Sequence, residues 1–386
     1  MGGRCTGGCL GPERKGGQLK LLTTRGRTAA VPVALALAGG LAATVLAVPS
    51  SAGAAGLAVH ASARALAAVA GPGARSNAEG TSAARAVAGA AAVVGGPGYS
   101  CASPVYARSS QPAGSPVHAE VSFGGVRAVL TGTGVKGDGG GLDVLANPVL
   151  RVTAPGRLQR QWPVGMPAGV TVGPRNGVTL ASLRPGRDLP LCVATFDGPR
   201  PETAVLVGMY SGGAHCCTWL SAYPVMPASL VLSRPVQQDL TDPGGIVASF
   251  RGRAMLVSAD DRFAYRFDSY AGSALPLRVL DLQDNRFVDV TRRHKPMVRA
   301  EAAGLWETYR KAQGGGLGEG RGGGLGVLAA WVADECLLGQ GPAAWATVAG
   351  LERRGLLSGG NAGSFWPTGA KYVSALRSFL RATGYC

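Results

Sequence analysis

The chain has 386 residues, of which 16% are charged and 46% are hydrophobic, so its composition excludes wholesale disorder. Its 61 glycines argue against a mainly helical protein, and its length allows two modest domains or one larger domain with a tail. The formal charge of +16 indicates a solvated, arginine-rich surface, and we expect no nucleic-acid partner because no basic run alternates with aromatic residues.

The N-terminus has the three parts of a secretory signal. Basic residues up to Arg27 precede the uncharged apolar run 31–48, and residues 52–54, Ala-Gly-Ala, have the small-x-small pattern that signal peptidase recognises. We predict that residues 1–54 are a signal peptide and that the protein is secreted or held at the cell surface. The apolar run is also long enough to span a bilayer, so an uncleaved membrane anchor stays open as the alternative.

Residues 55–115 consist mainly of Ala, Gly, Ser and Pro, with almost no large apolar side chain. Such a segment buries too little surface to offset the entropy of ordering it. We therefore predict a flexible stalk, with order beginning near Tyr99 and Cys101.

Residues 116–293 contain many short segments in which apolar and polar positions alternate. A hairpin is predicted where 118–123 and 126–131 flank Gly124 and Gly125. Further strands are predicted at 142–152, 157–164, 189–196, 204–210, 218–225, 230–232, 246–250, 254–257, 263–267, 277–282 and 286–290. Because strands do not alternate with helices, we predict an antiparallel sandwich or a propeller-like stack.

From residue 294 the apolar residues recur with a helical period. Four helices are predicted, beginning near Pro296, Leu325, Pro342 and Pro367. The short connections between them imply antiparallel neighbours. The fold class predicted is α+β, in which a β-rich body at 116–293 is followed by a small helical bundle at 294–386.

Six cysteines follow the predicted signal, and an even number in an oxidising compartment indicates disulfides. They are Cys101, Cys192, Cys216, Cys217, Cys336 and Cys386. We predict a Cys336–Cys386 bond, because both residues belong to the helical unit and are remote from the others. A bond between the adjacent Cys216 and Cys217 would close a strained ring, so other partners, such as Cys192 and Cys101, are expected for them.

The most specific string in the chain is YSGGAHCC at 210–217, which lies between two strand-like runs. Its marker residues are Tyr210, Gly212, Gly213 and His215. Together with segments 191–209, 259–293 and 366–385, it resembles a family of exported bacterial proteins of unknown function, of high-GC Gram-positive type, that carry a Y-x-G-G-A-H-C-C motif. The resemblance implies export and does not imply an activity.

The loop at Asp197-Gly198 is similar to the calcium loops of FG-GAP and VCBS repeats, which build β-propellers. Here Pro199, Arg200 and Pro201 stand where that pattern has further carboxylates, although Ca²⁺ needs six to eight oxygen ligands. The stretch from Asp239 to Asp242 is also short of ligands. These loops are therefore degenerate, and we predict no bound metal or cofactor.

No phosphate loop, dinucleotide fingerprint or H-E-x-x-H motif occurs in the chain. His215 and Cys217 would share one face of a strand, which leaves a zinc site open, but two further ligands would be needed.

Paired carboxylates for acid–base chemistry are available at four positions. They are Glu202, Asp260, Asp261 and Asp268. We favour a turn in which an acid pairs with Arg262 or Arg266. Two histidines, His118 and His294, are predicted to be solvated, and the alternating aromatics of 263–267 are predicted to share the core face of a strand.

We therefore predict an exported, disulfide-stabilised protein without catalytic residues, which binds a partner in the cell envelope or outside the cell or has a structural role. Contact with a membrane is expected only through an uncleaved anchor. Two alternatives stay open. One is a secreted hydrolase that uses His215 with a nearby carboxylate, and the other is a calcium-stabilised repeat module.

Overall fold

The computed structural model describes residues 93–103, 114–135, 144–154, 159–166, 177–180, 190–210, 218–225, 236–240, 246–313, 323–358 and 365–386. Within these ranges the protein is α+β as predicted, with strands throughout the first part and helices in the C-terminal part. The predicted signal, most of the predicted stalk and the predicted strand 230–232 lie outside the described residues.

Fifteen strands are present in the described chain. They are β1 (Val93–Gly96), β2 (Tyr99–Ala102), β3 (Pro116–Phe123), β4 (Val126–Val135), β5 (Val144–Thr153), β6 (Arg160–Pro163), β7 (Gly177–Leu180), β8 (Leu191–Phe196), β9 (Glu202–Tyr210), β10 (Thr218–Val225), β11 (Val236–Asp239), β12 (Ile246–Phe250), β13 (Arg253–Ala259), β14 (Leu277–Gln283) and β15 (Arg286–Asp289). Four α-helices follow in the described part: α1 (Lys295–Gln313), α2 (Leu325–Leu338), α3 (Gly341–Arg353) and α4 (Gly369–Thr383).

The predicted hairpin is formed by β3 and β4. Phe123 pairs with Val126 across Gly124 and Gly125, whose φ angles are 57° and 78°. A two-residue turn with both φ angles positive suits the right-handed twist of the strands, and glycine adopts it without steric cost. Alternate residues of β3 are buried, which places its apolar face on the core.

β8 and β9 lie at the centre of the hydrogen-bonded network. The longest path through the sheet runs β15-β14-β13-β8-β9-β7-β5-β4-β3, and the remaining strands branch from it. Pairing is antiparallel except for a single parallel pair between Phe196 of β8 and Ala254 of β13. Nearly all residues of β8 are buried, as expected for a strand covered on both faces.

Part of the predicted stalk is ordered. β1 and β2 form a hairpin around Gly98, and β2 pairs along its length with β8. A side chain at Gly98 would bring its Cβ within 2.6 Å of the backbone at Arg253 and Ala254, so only glycine fits there. Residues from Val93 onward in this segment therefore belong to the β-rich body, although the predicted stalk extended to residue 115.

The helical unit is organised around α2. Eleven of the 14 residues of α2 are buried, so this helix is apolar on all sides rather than amphipathic. α1 and α3 pack against it, and α4 contributes Tyr372, Leu376 and Leu380 to the same core. Burying each side chain of this size contributes roughly 1.5–3 kcal/mol of hydrophobic stabilisation.

Two acidic side chains are buried in the helical core. Glu301 of α1 is 2% exposed and Asp334 of α2 is 0% exposed. Oε2 of Glu301 and both carboxyl oxygens of Asp334 have no hydrogen-bond partner in the described chain. Burial raises the pKa of both carboxyl groups, and the charge of Glu301 raises that of Asp334 further.

The prediction of a strand at 263–267 is wrong. The segment forms a 3-10 turn, Asp261–Phe263, followed by further turns. Phe263 and Phe267 are buried and both contact the ring of Phe379 on α4, whereas Tyr265 is 51% exposed. The spacing of four between the two buried phenylalanines fits this turn, and alternation alone did not reveal it.

No helix in the described ranges combines the length and the hydrophobicity required to span a membrane.

Candidate functional site

An open cleft of about 200 Å³ lies where the end of β8, the β12–β13 hairpin, β14 and the start of α1 meet. Its polar and aromatic lining consists of Asp197, Phe250, Arg251, Asp281, Arg293 and His294. Ala254, Met255 and Val290 form its apolar wall. We call this feature the Asp281 cleft. It combines acidic, basic and apolar surfaces in a small volume.

Asp281 forms the floor of the cleft. It lies in the middle of β14 between the buried Leu280 and Leu282, and it is only 6% exposed. Its Oδ2 accepts a hydrogen bond of 2.9 Å from Nε2 of Gln283. Burial raises the pKa of the Asp281 carboxyl, and hydrogen bonds from Gln283 and from the backbone amides of Asp197 and Leu282 lower it only in part. The charge of Asp197 raises it slightly further.

His294 also contributes to the floor. Its backbone carbonyl accepts hydrogen bonds from Met297 and Val298 and so begins α1, which fixes the position of the residue. The imidazole packs edge-on against Phe250, with 4.8 Å between ring centroids, and the residue is 9% exposed. Its Nδ1 has no hydrogen-bond partner in the described chain.

Charged groups that line the cleft affect the pKa of His294. Burial lowers the pKa of the imidazole below its usual 6.5, and the charge of Asp281 opposes this effect. The charges of Arg293 and Arg251 lower the pKa further. The ring is therefore neutral at pH 7, and one of its nitrogens is available to accept a hydrogen bond.

The rim of the cleft is formed by charged side chains on tight turns. Arg251 adopts a φ of 51° between β12 and β13, and its guanidinium lies 5.1 Å from the ring centroid of Phe250. Arg293 ends a 3-10 turn just before His294. In the described part of the chain, neither arginine forms an ion pair. Both guanidinium groups can therefore meet an anionic group on a ligand.

The cleft offers a ligand both acceptors and donors of hydrogen bonds. Its carboxylates and imidazole can accept hydrogen bonds, and its guanidiniums donate them. Across the described residues, no group of three or more His, Cys, Asp and Glu side chains is arranged to hold a metal ion.

The predicted motif cannot be compared with this cleft. Gly212, Gly213, His215, Cys216 and Cys217 lie outside the described residues. Tyr210, the first residue of the motif, ends β9 and pairs with Thr218 of β10 and Thr179 of β7.

The structure contains two disulfides among the described cysteines. The predicted Cys336–Cys386 bond is present and ties α2 to the segment after α4. Cys101 of β2 is bonded to Cys192 of β8, where the two strands pair. The expectation that these two cysteines would bond Cys216 and Cys217 is therefore wrong.

The four acidic residues that could have formed a catalytic carboxylate pair make different interactions in the structure. Asp260 forms the predicted ion pair with Arg262, and Asp261 follows it in the 3-10 turn. Asp268 lies at the start of α2, where burial raises the pKa of its carboxyl and the backbone amides of Gly326 and Gly324 lower it only in part.

Glu202 is engaged elsewhere, in the turn between β14 and β15. Its carboxylate accepts hydrogen bonds from the backbone amides of Asp284 and Asn285. These acids are therefore not brought together for acid–base chemistry.

Neither residue on the floor of the cleft was predicted from the sequence to belong to a site. His294 was expected to be solvated, and this is wrong because Phe250 covers its ring. His118 is half-exposed as expected, 3.5 Å from Glu120. Asp281 could have been found from one signal, a charged residue inside the apolar Leu-Asp-Leu segment of a predicted strand. Such a residue is costly to bury unless it is paired or functional.

Comparison with known proteins gives partial matches. A family described as the sll0997 C-terminal domain matches residues 298–384, which include most of α1 and all of α2 to α4. The chain is 29% identical over 174 residues to a probable thylakoid lumen protein, sll0997, of Synechocystis sp.. That match covers 41% of this chain and 46% of the relative, so the chain spans about half the length of the curated relative it matches. No solved structure matches the chain.

Proposed function

We propose that this chain is an exported, disulfide-stabilised, non-catalytic module that binds a small polar ligand in the Asp281 cleft. One observation carries the proposal: two carboxylates, the imidazole of His294 and two arginines line the same open cleft, and neither arginine forms an ion pair in the described chain. Unpaired guanidinium groups at the rim of such a cleft can form charge-assisted hydrogen bonds with a polar ligand. A few polar groups on a partly apolar wall are typical of a small-molecule site.

Export is supported by three independent features. Residues 1–54 have the parts of a secretory signal. Two disulfides occur in the described chain, and such bonds persist in oxidising compartments. The partial similarity is to a probable lumen protein, and a lumen is reached by crossing a membrane. The resemblance to exported proteins with the Y-x-G-G-A-H-C-C motif agrees with these features.

The location can be tested with the full-length chain, carrying a C-terminal epitope tag, in a bacterial host that exports proteins. We expect a processed form outside the cytoplasm, in which non-reduced peptide maps contain the Cys101–Cys192 and Cys336–Cys386 linkages. An unprocessed cytoplasmic protein with four free thiols at these positions would contradict export.

Ligand binding can be tested separately with the secreted protein. A set of small polar compounds is screened for those that raise the Tm, because a ligand that binds only the folded state stabilises it. We expect at least one compound to raise the Tm of the wild type and of Asp284→Asn, but not of Asp281→Asn. Asp284 is an exposed aspartate three residues away, so it is the matched control. If no compound in the set raises the Tm of the wild type without raising that of Asp281→Asn, binding in this cleft is refuted.

The same preparation separates binding from the hydrolase alternative. If His215 acts in catalysis, His215→Ala loses a hydrolytic activity and keeps its Tm. If the protein only binds, no compound is converted during the screen.

A further inference from the structure

A second open cleft, of about 280 Å³, lies where β14, β15, the end of α2 and the segment after α4 meet. Its charged lining consists of Arg262, Asp289, Arg292 and Arg293. Its apolar wall includes Leu277, Leu337 and Tyr385. We call this feature the Arg292 cleft. It adjoins the Asp281 cleft, because Arg293 lines both, but its lining has three cationic side chains and only one anionic side chain.

Two of these four charged side chains already have partners of opposite charge. Arg262 forms an ion pair with the buried carboxylate of Asp260, to which its Nε donates a hydrogen bond of 2.8 Å. Oδ2 of Asp289 lies 3.3 Å from Nε of Arg278, and its Oδ1 accepts hydrogen bonds from the amide and the hydroxyl of Thr291. Arg262 and Asp289 therefore add little net charge to the cleft.

The other two, Arg292 and Arg293, are exposed and form no ion pair in the part of the chain that the structure describes. Nη2 of Arg292 donates hydrogen bonds of 2.7 Å and 3.1 Å to the backbone carbonyls of Gly384 and Tyr385. These neutral acceptors hold the guanidinium in place at the cleft but do not neutralise its charge. Two accessible guanidinium groups are thus available to an anionic ligand, and one of them is already fixed in position.

The two uncompensated positive charges are matched best by a ligand that carries two negative charges. A phosphate monoester carries about −1.5 to −2 charge at pH 7 and has three oxygens that accept hydrogen bonds, whereas a carboxylate or a phosphate diester carries a single charge. The planar guanidinium of arginine suits phosphate, because it can donate two parallel hydrogen bonds. The volume of about 280 Å³ is just below the 300–1,000 Å³ of sites for drug-sized ligands, so it suits a phosphate group on a small organic group.

We propose that the Arg292 cleft binds the phosphate group of a phosphate monoester, with the guanidiniums of Arg292 and Arg293 donating hydrogen bonds to its oxygens. Leu337 and Tyr385 then border the organic part of the ligand. Such a phosphate group belongs either to a free small molecule or to the headgroup of a lipid, and the experiments below separate the two sources. The inference does not depend on the ligand of the Asp281 cleft.

The test uses calorimetric titration of the secreted protein at pH 7, in a phosphate-free buffer of low ionic strength because salt screens exposed charges. The probes are two monoesters, methyl phosphate and glycerol 3-phosphate, and one diester, dimethyl phosphate. We expect each monoester to bind at least about tenfold more tightly than the diester, which loses one charge-assisted interaction. Equal binding of dimethyl phosphate, or no binding of either monoester, would overturn the inference.

Matched variants assign the binding to this cleft. Arg292→Gln and Arg293→Gln are each expected to weaken the binding of methyl phosphate at least about tenfold. Arg286→Gln is the control, since Arg286 is an exposed arginine of β15 that does not line the cleft, and it should leave binding unchanged. If Arg292→Gln does not fold, as judged by circular dichroism, Arg293→Gln still decides the result. Unchanged binding in the folded cleft variants would refute the inference.

Cosedimentation with lipid vesicles identifies the source of the phosphate group. Phosphatidic acid has a monoester headgroup and phosphatidylglycerol has a diester headgroup, each tested in phosphatidylcholine vesicles. Binding to phosphatidic acid alone, lost in Arg292→Gln, would assign the site to a lipid headgroup. Binding of the small monoesters without binding to either vesicle would assign it to a free small molecule. Equal binding to both vesicles without binding of the small monoesters would indicate general attraction to an anionic surface, and it would overturn the inference.

Discussion

The hydroxyl of Tyr385 donates a hydrogen bond of 2.9 Å to Oδ2 of Asp260, across 125 residues of the chain. Asp260 is fully buried at the end of β13, where Nε of Arg262 also donates to its Oδ1 at 2.8 Å. Burial raises the pKa of this carboxyl. Arg262, through its hydrogen bonds and its charge, and the hydrogen bond from Tyr385 lower it by more. The pKa of Asp260 therefore lies below its usual value. The segment after α4 thus completes a polar site of the β-rich body.

The first prediction concerns this hydrogen bond. Tyr385→Phe removes the hydroxyl and keeps the ring, so we expect the free energy of unfolding to fall by about 2 kcal/mol, as for a hydrogen bond to a charged group. Urea denaturation followed by circular dichroism measures the change. The matched control is Tyr309→Phe, whose buried hydroxyl has no hydrogen-bond partner in the described chain, so its removal should not lower stability by a comparable amount. Equal effects of the two variants would contradict the role of Tyr385.

The second prediction concerns pH. The pKa of Glu301 is raised by burial to about 7 in the folded protein, against 4.5 for an ordinary glutamate. The folded state therefore holds this proton more tightly than the unfolded state. The stabilisation from Glu301 is fully present below about pH 4.5 and is lost as the pH rises through about 7, on the order of 3 kcal/mol in total. Asp334, whose pKa is also raised, acts in the same direction.

Glu301→Gln isolates this contribution, because glutamine resembles the protonated acid. The free energy of unfolding of the wild type, minus that of the variant, should fall between about pH 4.5 and pH 8. Near Glu301 and Asp334, the charge of Glu335 also raises the pKa of Asp334, and Arg299 lowers the pKa of Glu335. Glu307→Gln is the control on the same helix, since Glu307 is half-exposed and pairs with Lys311. A difference that does not vary with pH would show that Glu301 is not protonated in the folded state.

The third prediction concerns the start of α2. Asp268 is half-buried there. Burial raises the pKa of its carboxyl, and hydrogen bonds from the backbone amides of Ser269, Gly326 and Gly324 lower it only in part. Asp268→Ala removes the acceptor of these amides, and we expect a loss of about 1 kcal/mol, whereas Asp268→Asn keeps an acceptor and should cost less. Urea denaturation measures the loss, and hydrogen exchange should become faster at the first amides of α2 in Asp268→Ala. The exposed control Asp284→Ala should leave this exchange unchanged, and slower or unchanged exchange in Asp268→Ala would contradict the capping role.

The fourth prediction concerns the bond between Cys336 and Cys386, which are 50 residues apart. Replacing both with alanine frees a loop of this length in the unfolded state, so we expect stability to fall by about 4 kcal/mol according to the chain-entropy treatment. Denaturation under non-reducing conditions measures the effect and keeps the Cys101–Cys192 bond intact. A loss below about 1 kcal/mol would mean that the unfolded chain is already compact around this loop.

The helices were predictable because their signals are local. α2 begins at the predicted Leu325, and the other helices begin within two residues of the predicted prolines. The bounds predicted for β10 and β12 also agree, since each strand is a continuous run between turn residues.

Two elements were missed or wrongly predicted because long-range contacts decide them. β2 consists of residues with a weak local strand signal and is held by pairing and a disulfide to β8. Phe263 and Phe267 alternate like strand residues, but the rings of Tyr372 and Phe379 on α4 receive them in a turn. Tertiary packing therefore overrides the local pattern in both places.

The candidate site was the least predictable part. Asp197, Asp281 and His294 are separated by tens of residues in sequence, and each was assigned at most a local role. They meet because the end of β8, the middle of β14 and the start of α1 border one cleft. The spacing of apolar residues in the sequence does not predict that Asp281 is buried or that Phe250 covers the ring of His294.

The pairing of β8 has a consequence for when the protein can fold. β2, which pairs with β8, lies about 90 residues earlier in the chain, and β13 pairs with β8 from a later segment. The entropy of closing such long loops must be overcome before these contacts form, which slows folding relative to a protein with local contacts. A chain that folds slowly stays unfolded for longer after synthesis, and an unfolded chain is the form that can thread through a translocation channel.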